Sequence, residues 1–186
     1  MGPLLLKKIA MELNETVRGS IISKIHQPEA KIILLKLFIR GRTHALIISA
    51  DARLPRMHLT ERKYANPERP LRFLSMLRKH ISNGIIEKIG VLENERIATI
   101  DLKKKTGETT RNFRLTIELT GKSSNIIFTD EKNIVLDALK YFPPETSERV
   151  VVPGVELKPL PARETKEETL IEKTCATWNE SADLYY

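Results

Sequence analysis

From residue 18 to about residue 140 the chain is written in short apolar runs, and this punctuation decides what it can fold into. SIISKIHQ, KIILLKLFI and HALIISA come first, followed by GIIEKIGVL, ERIATIDL, NFRLTIEL, NIIFTD and NIVLDAL. Each is strand-length and rich in Ile, Leu or Val. Turn-forming residues such as Gln27-Pro28-Glu29 and Gly41-Arg42 separate them, which is the signature of β-strands rather than helices. The first three runs predict an antiparallel meander. KKKTGETT, with Gly107 as its turn residue, predicts a hairpin loop. Two stretches carry helical spacing: Leu5, Ile9 and Leu13 within 4–14, and Leu71, Leu74, Leu77 and Ile81 within 69–81, the second stopped by Ser82-Asn83-Gly84. Residues 51–65 read as irregular. About eight strands with two helices and no βαβ alternation argue against a doubly wound parallel sheet. The expected fold class is α+β: mainly an antiparallel β-sandwich or flattened barrel flanked by helices, with no internal repeat.

A chain of 186 residues can build one sizeable core with an appendage. The Pro-rich stretch Pro153, Pro159 and Pro161 marks a domain edge. The expected division is therefore a domain over 1–163 and, over 164–186, either an acidic tail or the start of a following region. The tail carries a formal charge of −4 and residues 1–163 carry +11. Within it, 166–178 reads as a short helix with Leu170, Ile171 and Trp178 on its apolar side, ahead of Tyr185 and Tyr186. The lone Cys175 cannot form an internal disulfide, which suits a reducing compartment. Lys7 and Lys8 interrupt the apolar start, so no signal peptide is expected. No apolar run approaches membrane-spanning length. These features predict a cytoplasmic protein with no membrane partner.

The positive charge is not evenly spread. Residues 53–80 hold Arg53, Arg56, Arg62, Lys63, Arg69, Arg72, Arg78 and Lys79 against Glu61 and Glu68, a balance of +6 in a chain whose total is +7. A concentrated cationic surface attracts polyanions, and the common one in a cell is nucleic acid. On the helix at 69–81, Arg72 and Lys79 share a face near Phe73, Met76 and His80, with Arg78 flanking. One reading is a phosphate-tracking face with a ring that stacks on a base; the other is a solvated face with Phe73 in the core. In the loop RLPRMHLT, Arg53 and Arg56 suit bidentate phosphate contacts, while His58 reads as a half-buried residue bonded to the backbone. The turn Gly121-Lys122-Ser123-Ser124-Asn125 can cradle a phosphate through its N–H groups or serve as an ordinary hairpin turn.

Enzymatic signals are poor. His26, His44, His58 and His80 lack metal-ligand spacing, and no Cys joins them. No nucleophile elbow, zinc-protease motif or catalytic carboxylate pair stands out. The expectation is a protein that is not an enzyme, without catalytic residues, metal, cofactor or small-molecule substrate.

Six stretches occurring in order carry a family resemblance: ELNETVRGSIISKIHQP, LIISADARLPRMHLT, NPERPLRFLSMLRKHI, NERIATI, IELTGKSSNIIF and VVPGVEL. Together, over about residues 9–160, they resemble the N-terminal domain of the NFACT family, which includes bacterial RqcH, the fibronectin-binding-protein-A-like proteins and eukaryotic NEMF. The resemblance implies a fold similar to the N-terminal domain of formamidopyrimidine-DNA glycosylases. It implies RNA binding in ribosome-associated quality control, with tRNA and the large ribosomal subunit carrying a stalled nascent chain as partners. The family's Asp-Arg tRNA pair falls on Glu95-Arg96, one methylene longer at the acid. A second tRNA-contacting stretch falls on Glu118, Leu119 and Thr120, with Thr120 where Met is usual. Phosphate contacts are expected from Arg53, Arg56, Arg72, Arg78, Lys79 and Lys122. A glycosylase would need a free N-terminal Pro with an adjacent Glu. Here Pro3 follows Gly2 and precedes Leu4, so base excision is not expected. A fibronectin-binding adhesin is the alternative the family's older name suggests.

Overall fold

In the computed structural model, residues 2–65, 67–93 and 95–160 are described. The expectations for the acidic tail, its helix and Cys175 lie outside them. Helix α1 (Pro3–Val17) starts with Pro at its first turn, where a missing N–H costs nothing. It buries Leu6, Ala10, Leu13 and Val17. The stripe is thus rotated from the expected Leu5–Ile9–Leu13 line: Leu5 is exposed, and small Ala10 faces the core instead.

Nine strands follow in one sheet: β1 (Ile21–Glu29), β2 (Ile32–Ile39), β3 (Arg42–Ser49), β4 (Arg56–Leu59), β5 (Ile85–Val91), β6 (Ile97–Thr106), β7 (Thr109–Glu118), β8 (Asn125–Asp130) and β9 (Val135–Ala138). Their spatial order is β4-β3-β2-β1-β5-β6-β7-β8-β9, and every pairing is antiparallel. The α+β antiparallel expectation holds, but the sheet is open at β4 and β9 rather than closed into a barrel. The meander and the Gly107 hairpin form as expected; Thr106 pairs with Thr109 across a two-residue turn in which Gly107 has φ of 61°. Strand β4 lies in the segment read as irregular. Its four residues pair with β3 alone, and the alternation of a buried Met57 between Arg56 and His58 is too short to register as a period. Pro28 sits inside β1 at a register break between His26 and Glu29, where its missing N–H is tolerated.

The sheet has two halves joined at a narrow seam. Strands β1 and β5 share one register pair, Ile21 with Ile85, before they diverge. Where β1 leaves, the Asn14 side chain of α1 takes its place, accepting the Ile89 N–H at 2.8 Å. Gly84 belongs to this seam for lack of space rather than for turn geometry. A Cβ there would lie 3.0 Å from the Ile81 carbonyl oxygen and 3.2 Å from that of Lys103, and the left-handed residue ending the helix is Asn83, with φ of 58°.

Helix α2 (Arg72–Ile81) buries Phe73, Leu74, Leu77 and Ile81 and touches β1, β6 and β9, so the two halves curl around it. Its N-cap, Leu71, has no side-chain oxygen to hold the first N–H groups. Buried Gln27 on β1 does so instead: its Oε1 accepts the Leu74 N–H at 3.1 Å while its Nε2 donates to the Ala30 carbonyl at 3.0 Å. Gln27→Ala is expected to lower unfolding free energy by about 2 kcal/mol, the loss of a cap plus an unpartnered buried N–H. Urea titration followed by circular dichroism measures it. A change below about 0.5 kcal/mol contradicts the cap assignment.

Candidate nucleic-acid interface

The basic segment does not form one cationic face. The Arg72 guanidinium contacts the buried Asp137 carboxylate and the Tyr141 hydroxyl, and its Nη2 donates to the Ala138 carbonyl at 2.7 Å. The guanidinium also lies 4.3 Å from the centre of the Tyr141 ring. Arg78 donates twice to the Ile25 carbonyl, at 3.1 and 2.9 Å. Both expected phosphate contacts are thus occupied in fastening α2 to the sheet, Arg72 to β9 and Arg78 to β1. Helical spacing shows which residues share a side of a helix, but not what stands opposite them. The base-stacking reading of Phe73 also gives way, since the ring is 2% exposed in the core. His80 packs edge-on to Phe113 at 5.6 Å and beside Phe128 at 5.9 Å. Burial, with Lys79 and Arg111 nearby, lowers its pKa.

The remaining cations of the segment face solvent or bond locally. Arg53 and Lys79 are exposed. Half-buried Arg56 donates to the Leu54 carbonyl at 3.1 Å. His58 is exposed on β4 and approaches the Leu59 carbonyl at 2.7 Å through Nδ1, so the backbone bond expected of it is present without the burial.

Two distant stretches of the sequence meet at one end of β6 and β7. Glu95 and Arg96 form the bend before β6, both half-buried, and the Arg96 carbonyl accepts the Leu119 N–H at 2.8 Å. Ile97 pairs with Glu118 in register. Thr120 follows and opens the 3-10 turn Gly121–Ser123, where Gly121 adopts φ of 76°, a conformation few other residues tolerate. Lys122 projects from this turn, exposed. The structure therefore brings Glu95, Arg96, Thr120 and Lys122 together. It separates Glu118 and Leu119 from them by burial: the two are 2% and 1% exposed. Leu119 lies in the core.

Glu118 lies on the opposite face of the sheet, against residues 139–160, which fold back over β7, β8 and β9. Its Oε1 accepts from Arg149 Nη2 at 2.7 Å, and Arg149 Nε donates to the Lys158 carbonyl at 2.7 Å. The segment adds backbone bonds to β9, Val135 N–H to Val155 and Gly154 N–H to Val135, both 2.8 Å. Its own apolar cluster contains Ile127, Val135, Ala138, Val151 and Leu157. A cleft of about 590 Å³ lies between this segment and the sheet, lined by Glu118, Ser123, Phe142, Arg149 and Leu160 among others. Arg149 carried no signal in the sequence, because nothing there pairs residue 118 with residue 149. Nor did Lys140, half-buried beside the Gly121–Ser123 turn. Its main chain is held on both sides by the Asn125 amide at 3.0 Å, and its Nζ donates to the Lys122 carbonyl at 2.9 Å.

Among the described residues, no group of three or more His, Cys, Asp or Glu is placed to hold a metal ion. No described helix is long and apolar enough to cross a membrane.

An open, strongly curled antiparallel sheet wrapped on two helices, with an Arg-bearing bend beside a Gly-Lys turn, defines the class of module. The chain belongs to the NFACT family: the model of its N-terminal and middle domains matches residues 3–184. The Rqc2 homolog RqcH of Bacillus subtilis is 39% identical over 158 residues, covering 82% of this chain and 27% of that protein. RqcH of Streptococcus suis is 33% identical over 153 residues, covering 80% and 28%. The chain thus spans about a quarter of the length of these curated relatives. Among solved structures, the N-terminal domain of fibronectin-binding protein PavA from Streptococcus pneumoniae superposes with a TM-score of 0.83 at 30% identity, covering 92% of this chain and 67% of that one. The N-terminal part of the fibronectin/fibrinogen-binding protein of Streptococcus suis gives 0.80 at 31% identity, covering 89% and 62%.

Burial raises the Glu118 pKa, against the opposing pull of Arg149. A carboxyl whose folded pKa exceeds its unfolded value binds its proton more tightly in the native state, so stability falls as pH rises from the ordinary Glu range through the raised value. Arg149→Ala removes the opposing pull and leaves a buried unpaired charge. It is expected to cost about 3 kcal/mol at neutral pH, with part recovered as pH is lowered toward 5. Thermal melts at several pH values measure this. A variant equally destabilised at every pH refutes the assignment.

Proposed function

We propose that this chain is the RNA-binding module of a ribosome-associated quality control factor, contacting tRNA and the large ribosomal subunit carrying a stalled nascent chain. The observation that carries the reading is the convergence of Arg96, Thr120 and Lys122 at one end of β6 and β7, on a scaffold that RqcH relatives share. Arg96 contacts a phosphate or base edge. Glu95 orients Arg96 or accepts from a base amino group. Thr120 lines the contact, and Glu118 and Leu119 act from behind it by fixing the β7 end. Arg53, Arg56, Lys79 and Lys122 supply phosphate contacts. Arg72 and Arg78 hold the helix that presents Lys79. On this reading the module binds without covalent chemistry and works in the cytoplasm.

With about five phosphate contacts and a slope near 0.7 per contact, a fourfold rise in salt is expected to weaken tRNA binding on the order of a hundredfold. Arg96→Ala is expected to weaken it about tenfold, on the order of one lost charged contact, while the melting temperature stays within about a degree. Fluorescence anisotropy with labelled tRNA reads both effects. Binding that ignores salt, or an Arg96→Ala protein that binds normally and melts early, counts against the reading. The names of the two streptococcal neighbours favour a second reading, fibronectin binding. Salt-resistant capture of fibronectin together with no affinity for tRNA supports that one.

A further inference from the structure

Four cations from four separate segments meet at one corner of the molecule. The first turn of α2 is the meeting point. Its Leu74 N–H is held by Gln27, which also holds the Ala30 carbonyl, one residue before Lys31. Its Arg72 holds Asp137 and the Ala138 carbonyl, two residues before Lys140. The β1–β2 turn and the end of β9 are thereby drawn to the same helix end from opposite halves of the sheet. The loop after β3 joins them: the Ala50 N–H donates to the Lys31 carbonyl at 2.9 Å. Asp51 lies 3.9 Å from Lys31 Nζ and accepts the Arg53 N–H at 2.9 Å. On the other side Lys140 Nζ donates to the Lys122 carbonyl, and the turn holding Lys122 follows Leu119, which is bonded to Arg96.

The charges here do not balance. Asp137 is taken up by Arg72, which leaves Asp51 as the one other carboxylate among these contacts against Lys31, Arg53, Lys122 and Lys140. The Arg53 N–H already holds the Asp51 carboxyl below its ordinary range. Burial, then the charge of Lys31, pushes the Lys140 ammonium below its own, with Asp51 pulling the other way. Ammonium groups in a purely structural role find carboxylates, and idle surface lysines spread into solvent. Here Lys140 is half-buried, its main chain is pinned by Asn125, and its head rests on a carbonyl that carries no full charge. A polyoxyanion supplies the missing negative charge and several acceptors at once.

We infer that this corner is a second phosphate seat for the RNA backbone, with Lys31 and Lys140 as its principal groups and Arg53 and Lys122 at its rim. It rests on the RNA-binding reading above and extends the contact path from Arg96, across Lys122, to the other half of the sheet. Arg72 is the clasp that assembles the seat rather than a ligand in it.

The test compares four proteins in tRNA titrations over a range of salt: wild type, Arg96→Ala, Lys31→Gln with Lys140→Gln, and a charge-matched control, Lys88→Gln with Lys105→Gln, on β5 and β6. The Lys31/Lys140 variant is expected to bind on the order of tenfold more weakly, with a log–log salt slope lower by about 1.4, two contacts at roughly 0.7 each. If Arg96→Ala weakens binding but the Lys31/Lys140 slope matches the control, the seat is refuted and the RNA-binding reading stands. If wild type does not bind tRNA, the reading falls and the seat with it. Amine acetylation of wild type with and without tRNA, read by mass spectrometry, keeps the question decidable should the variant fail to fold. Protection of Lys31 and Lys140 supports the seat; equal labelling refutes it.

Discussion

Everything in this structure depends on how α2 is held between two halves of one sheet. The seam between β1 and β5 is too short to fix the angle between the halves. The helix does that: Gln27 and the Ile25 carbonyl hold it to one half, and Asp137 with the Ala138 carbonyl hold it to the other. Each attachment satisfies a group whose burial would otherwise be costly, an orphan helix N–H in one case and a carboxylate in another. The apolar face of α2 fills the space that results, so one hydrophobic cluster spans both halves. An open sheet thereby acquires an interior without closing into a barrel.

The same attachments divide the cations of the basic segment by task. Two arginines are exposed yet matched to protein acceptors, Arg72 to a carboxylate and Arg78 to a carbonyl. A guanidinium suits such work because its planar fork meets several acceptors at once while its stem packs against apolar neighbours. On the proposed reading, a polyanion meets Arg53, Arg56 and Lys79 from the segment, with Arg96, Lys122, Lys31 and Lys140 from elsewhere. The electrostatic character suggested by composition survives at the surface, but its address changes. On the opposite face, the Glu118–Arg149 pair fastens residues 139–160 and fixes the end of β7 from behind. Burial of Glu118 thus serves the neighbouring turn through geometry.

Much of the architecture was legible in the residues. Strand-length runs with turn punctuation identified eight of the nine strands, because alternation and β-branching report directly on a pleated, half-buried surface. Strand β4 escaped because four residues paired on one side are too few for a period to show. The α1 stripe was misplaced by one position because Leu4, Leu5 and Leu6 are equally apolar and spacing alone does not say which meets the sheet, where packing selects Leu6 and small Ala10. Openness at the edges was invisible for a different reason. Whether a sheet closes depends on its twist and on what covers β9, and residues 151–157 supply that cover through backbone bonds that carry no side-chain signature.

What the sequence alone determined is therefore local and one-dimensional: the strand and helix periods, the excess of positive charge, the Gly-Lys turn, and an Arg-bearing bend before β6. These follow from propensity, spacing and composition, each read within about ten residues. Only the tertiary structure decided which cations are engaged by the protein itself and which are left to solvent, since that depends on partners 50 to 65 positions away, as with Arg78 and Ile25 or Arg72 and Asp137. It also placed Lys31 beside Lys140 and Arg96 beside Leu119. Charge attracts at a distance, but a guanidinium commits to the acceptor within reach, and reach is set by the fold.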